Sequence, residues 1–186
     1  MTNEKQILAM IAAIILGYGH ANAQHSAESS SDRVSLNIVL HPIQTIVVNP
    51  SQRSINLEYA TEEDYKDGVF NELDDHLTIY STGGFNVNVE SASEHLIGIN
   101  KRIAASEVRI TASKGSTNAL TDVTYGTDLP LSATAAGLLR SGTGGTAQTF
   151  NVRYESSGDD MYINHFDVND KPTVFSTSVT YSITSQ

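Results

Sequence analysis

Apolar side chains recur at every second position through much of the chain after residue 33. The segment 34–40 (VSLNIVL) shows this alternation near the start, and the segment 175–183 (FSTSVTYSI) shows it near the end. Because successive side chains of a β-strand point to opposite faces, a period of two predicts a strand with one buried face. Further short apolar or alternating runs fall at 46–48, 55–59, 77–80, 85–89, 108–111, 129–131, 150–154 and 162–166.

Turn residues separate most of these runs, and helical patterns are scarce. The pair Gly83-Gly84 stands between two alternating runs and predicts a tight hairpin, because glycine readily adopts the positive φ that such turns need. Thr61 precedes three acidic residues and Gly68 follows, which predicts about two turns of helix. Residues 133–139 could form another turn. We predict an all-β fold, an antiparallel two-sheet β-sandwich of about eight to ten strands. An up-and-down barrel is the alternative, and uneven loop lengths disfavour it.

The first 23 residues predict an export signal. Lys5 lies in a short polar start, an apolar run of about ten residues follows, and Ala21-Asn22-Ala23 completes the pattern of a cleavable signal peptide. A membrane-spanning helix needs roughly 20 apolar residues, so we expect cleavage before Gln24 and no membrane insertion afterwards. We interpret residues 24–32 as a flexible polar leader and 33–186 as a single domain. The expected location is the periplasm, the cell surface or the extracellular space.

Composition excludes several classes of site. The chain has no Cys and no Trp, so it has no disulfide, no thiolate metal site and no cysteine nucleophile. Its 11 basic and 21 acidic residues give a formal net charge of −10, which would repel nucleic acid. We therefore expect no nucleic-acid partner.

Candidate chemistry is sparse, and we predict no enzymatic activity, no cofactor and no catalytic residues. The histidines stand at no ligand-like spacing, and no nucleophile motif is present. Acidic residues cluster in several loops, and oxygen-rich loops can hold Ca²⁺ in exported proteins. The weak calcium candidates are Asp159, Asp160, Asp167 and Asp170. The simpler interpretation is that acidic loops keep the protein soluble.

The two terminal alternating segments are candidates for exchange between molecules. A strand next to a flexible leader can complete its own sheet, or it can add to the open sheet edge of another molecule. The candidates are Val34, Leu36, Ile38 and Leu40 in the first segment, and Val179, Tyr181 and Ile183 in the second. The partner would be a second copy or a related subunit; ordinary strands within one molecule are the alternative.

Several segments together resemble small exported bacterial β-sandwich proteins of the pilin-like and spore-coat-U-like kind. They are the end of the signal peptide with the residue after it, ANA-Q, which resembles exported proteins of Bacteroidota, and the stretches VSLNIVLHPIQTIVV, LTIYSTGGFNVNV, EVRITAS and STSVTYSITSQ. This resemblance implies an immunoglobulin- or pilin-like sandwich and a structural or adhesive role at the cell surface, as in a fimbria.

A second function class is a module that binds carbohydrate or peptidoglycan. Such modules use aromatic platforms. The tyrosines available for one are Tyr59, Tyr65, Tyr80, Tyr125, Tyr154, Tyr162 and Tyr181. A hydrolase with paired carboxylates is a third class, and the adjacent acidic residues do not show the spacing it needs.

Overall fold

The computed structural model describes residues 30–166 and 172–186. The chain divides into two units, Met1–Val39 and Leu40–Gln186. The predicted signal peptide and residues 24–29 of the leader lie outside the described residues. In the described part of the chain, no helix is both long enough and apolar enough to cross a bilayer.

The second unit is all-β and antiparallel, as the period-two pattern predicts. Its strands are β1 Gln44–Val48, β2 Val69–Ser81, β3 Phe85–Ser91, β4 His95–Ile97, β5 Arg102–Ala104, β6 Val108–Lys114, β7 Thr124–Tyr125, β8 Leu129–Pro130, β9 Ala136–Ser141, β10 Gly145–Ser156 and β11 Val179–Ser185. Helix α1 spans Glu62–Asp67, and two 3-10 turns span Pro50–Gln52 and Ala105–Glu107. The described strands number eleven because four of them are only two or three residues long.

The strands form two main sheets, which confirms the predicted sandwich. The first sheet has the order β1-β2-β10-β6-β8, and the second has the order β11-β3-β9-β7; β4 and β5 form a separate hairpin. The core lies between the inward faces of the two sheets. Leu77, Ile79 and Phe150 from the first sheet and Phe85 and Val87 from the second are fully buried.

The sandwich has two distinct ends. At the entry end, β1 begins beside the end of β2, and Ser185 at the end of β11 pairs with Phe85. At the far end, Val179 at the start of β11 pairs with Ser91. The amide of Ser91 donates to the carbonyl of Ser132, and the neighbouring Leu131 amide donates to Val108 at the start of β6. The far ends of the two sheets are thereby linked.

Helix α1 forms where the sequence predicts it. Thr61 is the N-cap, its hydroxyl accepts from the Asp64 amide, and Asp64 in turn accepts from the Thr61 amide. Gly68 ends the helix with φ 84°, in the region that favours glycine.

The Gly83-Gly84 turn does not join a hairpin, so that prediction is wrong. It carries the chain from β2 in the first sheet to β3 in the second. A Cβ on Gly84 would lie 2.8 Å from the carbonyl oxygen of Gly142, so the close approach of two loops requires glycine here. Local turn chemistry indicates a reversal of the chain, but it does not indicate which sheet receives the next strand.

Three runs were wrongly predicted as strands over part or all of their length. Residues 55–59 alternate in burial but join no ladder, and residues 162–166 form turns up to Asn164 and then have no regular structure. The closing strand begins only at Val179, although Ser176 makes an isolated bridge to Ile97. Each run has strand-like periodicity, but the fold places no neighbouring edge in hydrogen-bonding register with it. The predicted turn at 133–139 is instead largely β9.

The segment 34–40 shows the largest difference between the sequence prediction and the structure. Sequence periodicity predicts a strand with a buried face, but these residues have no regular secondary structure, and their side chains are exposed. Val34 is 93% exposed and Leu36 is 88% exposed. Alternation gives a segment one apolar face, but a strand also needs a hydrogen-bonded neighbour, and residues 34–40 belong to no ladder in the described part of the chain.

Candidate functional site

The two sheets end side by side at one long, unprotected edge, which we call the open edge. It consists of β1 and β11, the terminal strands of their sheets, whose Cα atoms come within 8 Å of each other. Each strand is hydrogen-bonded to a ladder partner on one side only, β1 to β2 and β11 to β3. The opposite side of each backbone therefore offers donors and acceptors for another strand.

Sequence explains why this edge can pair. Strand β1 (QTIVV) and strand β11 (VTYSITS) contain no charged residue and no proline. The opposite edges of the sandwich differ: β7 and β8 have two residues each, and β8 contains Pro130. Short strands and proline are the usual protection against strand addition. Only the open edge lacks this protection among the edges of the two described sheets.

The inward side chains of the open edge are incompletely covered. They are Ile46 and Val48 on β1 and Val179, Tyr181 and Ile183 on β11, all of them half-buried against the core. Their neighbours one strand further in, Ile79 and Val87, are fully buried. The fold thus brings the three predicted candidates on β11 onto one face and adds two residues of β1 to them.

A polar cluster lies beneath the centre of the open edge. The Tyr181 hydroxyl is hydrogen-bonded to the hydroxyl of Tyr154 across the sandwich. The ring of His76 lies edge-on to Tyr181, with centroids 5.6 Å apart, and its Nδ1 is 3.0 Å from Oε1 of Gln52. This distance is a hydrogen bond that the neutral imidazole can donate.

An irregularity in β2 turns His76 inward. Asp75 has φ 49°, and the pairing of β2 with β10 shifts register at this point. The Asp75 amide donates to the Asn151 side chain, and its carboxylate accepts from the hydroxyl of Ser116. Between the Leu73–Val152 and Leu77–Phe150 pairs, β2 has two more residues than β10, and His76 is buried there beside Leu77 although odd-numbered positions face inward on both sides of the irregularity. No pattern in the sequence indicated this bulge.

Burial changes the acid–base behaviour of the cluster. Desolvation lowers the pKa of His76 to about 4, because the charged imidazolium is disfavoured away from water. Desolvation also raises the pKa of Tyr154 to about 12 and raises the pKa of Tyr181, whose hydroxyl faces that of Tyr154. At neutral pH all three side chains are uncharged, which suits a cluster packed beneath an apolar edge.

We expect acid to destabilise the fold through His76. The unfolded chain takes up a proton near pH 6.5, but the folded chain does so only near pH 4. The contribution to stability is therefore complete above pH 6.5 and is lost as the pH falls towards 4. The full difference corresponds to ~3 kcal/mol, and we expect about 2 kcal/mol because the adjacent edge admits water.

Urea denaturation of the wild-type protein between pH 7 and pH 4.5 measures this loss. The variant His76→Gln keeps an uncharged polar side chain at the site. Its free energy of unfolding should change much less with pH over the same range. The variant His41→Gln, at an exposed position, should retain the wild-type profile. If the free energy of unfolding falls equally with pH in the His76→Gln variant and the wild type, groups other than His76 cause the loss of stability in acid.

The calcium candidates are only partly described. Asp159 and Asp160 are exposed in a turn, with φ 54° and 57°, and their amides donate to the carbonyls of Lys66 and Tyr65 at the end of α1. Asp167 and Asp170 lie outside the described residues. Within 30–166 and 172–186, no three His, Asp or Glu side chains come together as metal ligands.

Most of the tyrosines available for a carbohydrate platform are buried or half-buried. Of the seven candidate tyrosines, only Tyr80 is more than a third exposed, at 38%. A shallow groove of about 260 Å³, with walls more apolar than polar, lies on the outer face of the second sheet. Its polar side chains include Asn86, Asn88 and Arg140.

Comparison with protein-family models finds no match, and comparison with curated proteins finds none either. Functional residues therefore cannot be transferred from a relative. The resemblance to pilin-like proteins stays a prediction based on strand patterns.

Proposed function

We propose that this protein is an exported structural or adhesive subunit that assembles with further copies by strand addition. The segment 34–40 of one copy would add to the open edge of another copy. Export is inferred from the signal-like residues 1–23. Self-association is inferred from the open edge and the exposed segment 34–40.

The observation that carries the proposal is the match between these two features. The segment has four exposed apolar side chains at alternate positions, and the open edge has half-buried apolar side chains along strand β11, which is also seven residues long. Seven residues in a strand span about 23 Å, so the two can pair along their whole length. Main-chain hydrogen bonds would supply affinity, and the alternating side chains would set the register.

Burial of the segment supplies a sufficient driving force. Full burial of one Val, Leu or Ile side chain is favourable by about 1.5–3 kcal/mol, so four such residues contribute about 6 kcal/mol or more. Association and ordering of the segment offset part of this gain. The apolar residues of the open edge would gain further burial on the acceptor side.

A copy could also use its own segment. Residues 41–43 would then form a turn, and 34–40 would pair antiparallel with β1 of the same chain. Closure within one molecule does not depend on protein concentration, but strand addition between copies does. Concentration dependence therefore distinguishes assembly from self-closure.

The test begins with the chain from residue 24, whose mass is measured by light scattering over a range of concentrations. We expect oligomers that grow with concentration. A chain starting at Leu40 should be monomeric, and a peptide of residues 33–41 added in excess should raise its melting temperature by several degrees, because ligand binding stabilises the folded state.

The control peptide has the same composition, with the residues of the pairs 34/35 and 36/37 exchanged. This exchange moves two apolar side chains to the other face of the strand and puts Ser and Asn in their place, so we expect a much smaller shift in melting temperature. A chain that remains monomeric at all concentrations, together with equal shifts for both peptides, would contradict the proposal.

A second candidate function is binding of carbohydrate. The groove that includes Asn86, Asn88 and Arg140 favours this function, because amide and guanidinium groups on a partly apolar wall can hydrogen-bond to sugar hydroxyls. The groove lies on the outer face of the second sheet, so strand addition at the open edge would leave it accessible.

A further inference from the structure

The far end of the sandwich carries a cluster of exposed apolar side chains, which we call the far-end patch. It consists of Ile97, Ile99, Met161, Ile163, Phe166 and Val174, all between 41% and 86% exposed. Isolated surface apolar residues are ordinary, but a contiguous group of this size commonly marks an interaction surface.

Hydrogen bonds from a lysine side chain and between backbones join the segments that carry these residues. The Lys101 ammonium donates to the carbonyls of Asn164 (2.5 Å) and Phe166 (2.9 Å), which joins the loop after β4 to the turns at 158–166. Ile97 exchanges two backbone hydrogen bonds with Ser176, close to Val174. Tyr162 points inward, where its hydroxyl lies 2.7 Å from that of Ser156, so Met161 and Ile163 on either side point outward.

The direction of the added strand determines which part of the donor copy lies near the far-end patch of the acceptor. Strand β11 runs from the far end to the entry end, so a strand added antiparallel to β11 runs from the entry end to the far end. Antiparallel pairing is the slightly more stable arrangement per residue. Val34 of the donor would then lie at the entry end of the acceptor, and Leu40 would lie at its far end.

The connection between Leu40 and β1 is short, so it limits how far the body of the donor can lie from the acceptor. Three residues, 41–43, separate Leu40 from Gln44, which is the first residue of β1 at the entry end of the donor. Four Cα steps reach at most about 14 Å. The entry end of the donor must therefore lie close to the far end of the acceptor.

We propose that the far-end patch binds the entry end of the next copy, a contact that rests on the proposed strand addition. The entry end presents Ile43, which is half-exposed, and loops rich in small residues, at 82–84 and 142–145. Small side chains let two surfaces approach closely. The contact is head-to-tail, so repetition extends the assembly beyond two copies, as a filament or a ring, and does not end at a two-fold dimer.

The test compares two double variants of the chain from residue 24. Ile99→Asp with Ile163→Asp places two charges in the far-end patch. Thr78→Asp with Ser113→Asp makes the same charge change on the outer face of the first sheet, midway between its two ends. We expect the patch variant to weaken association about tenfold in sedimentation experiments, whereas the outer-face variant associates as the wild type does.

Cross-linking adds a positional readout, because the natural chain has no cysteine. Cysteines introduced at Ile99 and Thr143 in the same chain should give a ladder of oligomers with a short bis-maleimide. Either cysteine alone should give none. Efficient dimers from Ile99→Cys alone would show that two far ends meet, and this would overturn the proposal.

The outcomes separate this inference from the proposed function. Oligomers that form normally in the patch variant, with no ladder from the double-cysteine chain, would overturn the end-to-end contact and leave strand addition standing. A wild-type chain that never associates would remove both.

Discussion

Replacing Leu36 and Ile38 by aspartate is expected to abolish self-association of the chain from residue 24. Both side chains are exposed in the single chain, so folding should be unaffected. On strand addition they would enter the apolar interior beneath the open edge. The variant loses the burial of two apolar side chains and places two carboxylates in an environment that cannot solvate them. We expect a loss of about 4 kcal/mol, which corresponds to about a thousandfold weaker association.

The matched control is Ser35→Asp with Asn37→Asp in the same segment. It makes the same charge change at two positions that alternate with the first pair, and these side chains would face solvent in the added strand. Sedimentation velocity over a hundredfold concentration range compares the three proteins. Equal weakening by both double variants would show that the charge of the segment matters and not the face of a strand. That result would remove the strand-addition mechanism.

Phe150→Ala should lower the stability of the fold more than any substitution at an exposed position. Phe150 is fully buried on β10, and its ring lies edge-on to Phe85, with centroids 6.5 Å apart, at the contact between the two sheets. Removal of a buried phenyl ring leaves a cavity that the two sheets cannot easily close. Such substitutions cost about 3–5 kcal/mol.

Phe70→Ala is the control for this substitution. Phe70 is 58% exposed on β2, and its principal contact is with the Arg153 guanidinium, 3.6 Å from the ring centroid. An exposed cation–π contact contributes about 0.5–1 kcal/mol, so we expect a cost below about 1 kcal/mol. Urea denaturation of both variants gives the comparison. Similar costs would indicate that the core does not lie between the two sheets.

Stability and assembly depend on different parts of the molecule in this proposal. The buried aromatic contact between Phe85 and Phe150 lies inside a single copy, so its loss lowers the free energy of unfolding. Leu36 and Ile38 are exposed until a second copy is present. Their replacement should therefore change the concentration dependence of association but not the unfolding of the monomer.

The sequence alone determined the class of the fold, because period-two alternation recurs in most runs of the chain and favours strands with one buried face. It also determined helix α1, since Thr61, Asp64 and Gly68 satisfy the helix ends locally. Both features depend on residues that are close in the sequence, and such residues impose their geometry wherever the chain folds.

The tertiary structure decided which strands are neighbours and which alternating segment is unpaired. Segment 34–40 alternates like β3 except at Val39, yet β3 lies between two strands and 34–40 belongs to no ladder in the described chain. Likewise, only the bulge at Asp75 places His76 beneath Tyr181. Hydrogen bonds between strands join residues far apart in the sequence, so local periodicity indicates which side chains seek burial but not which edge will cover them.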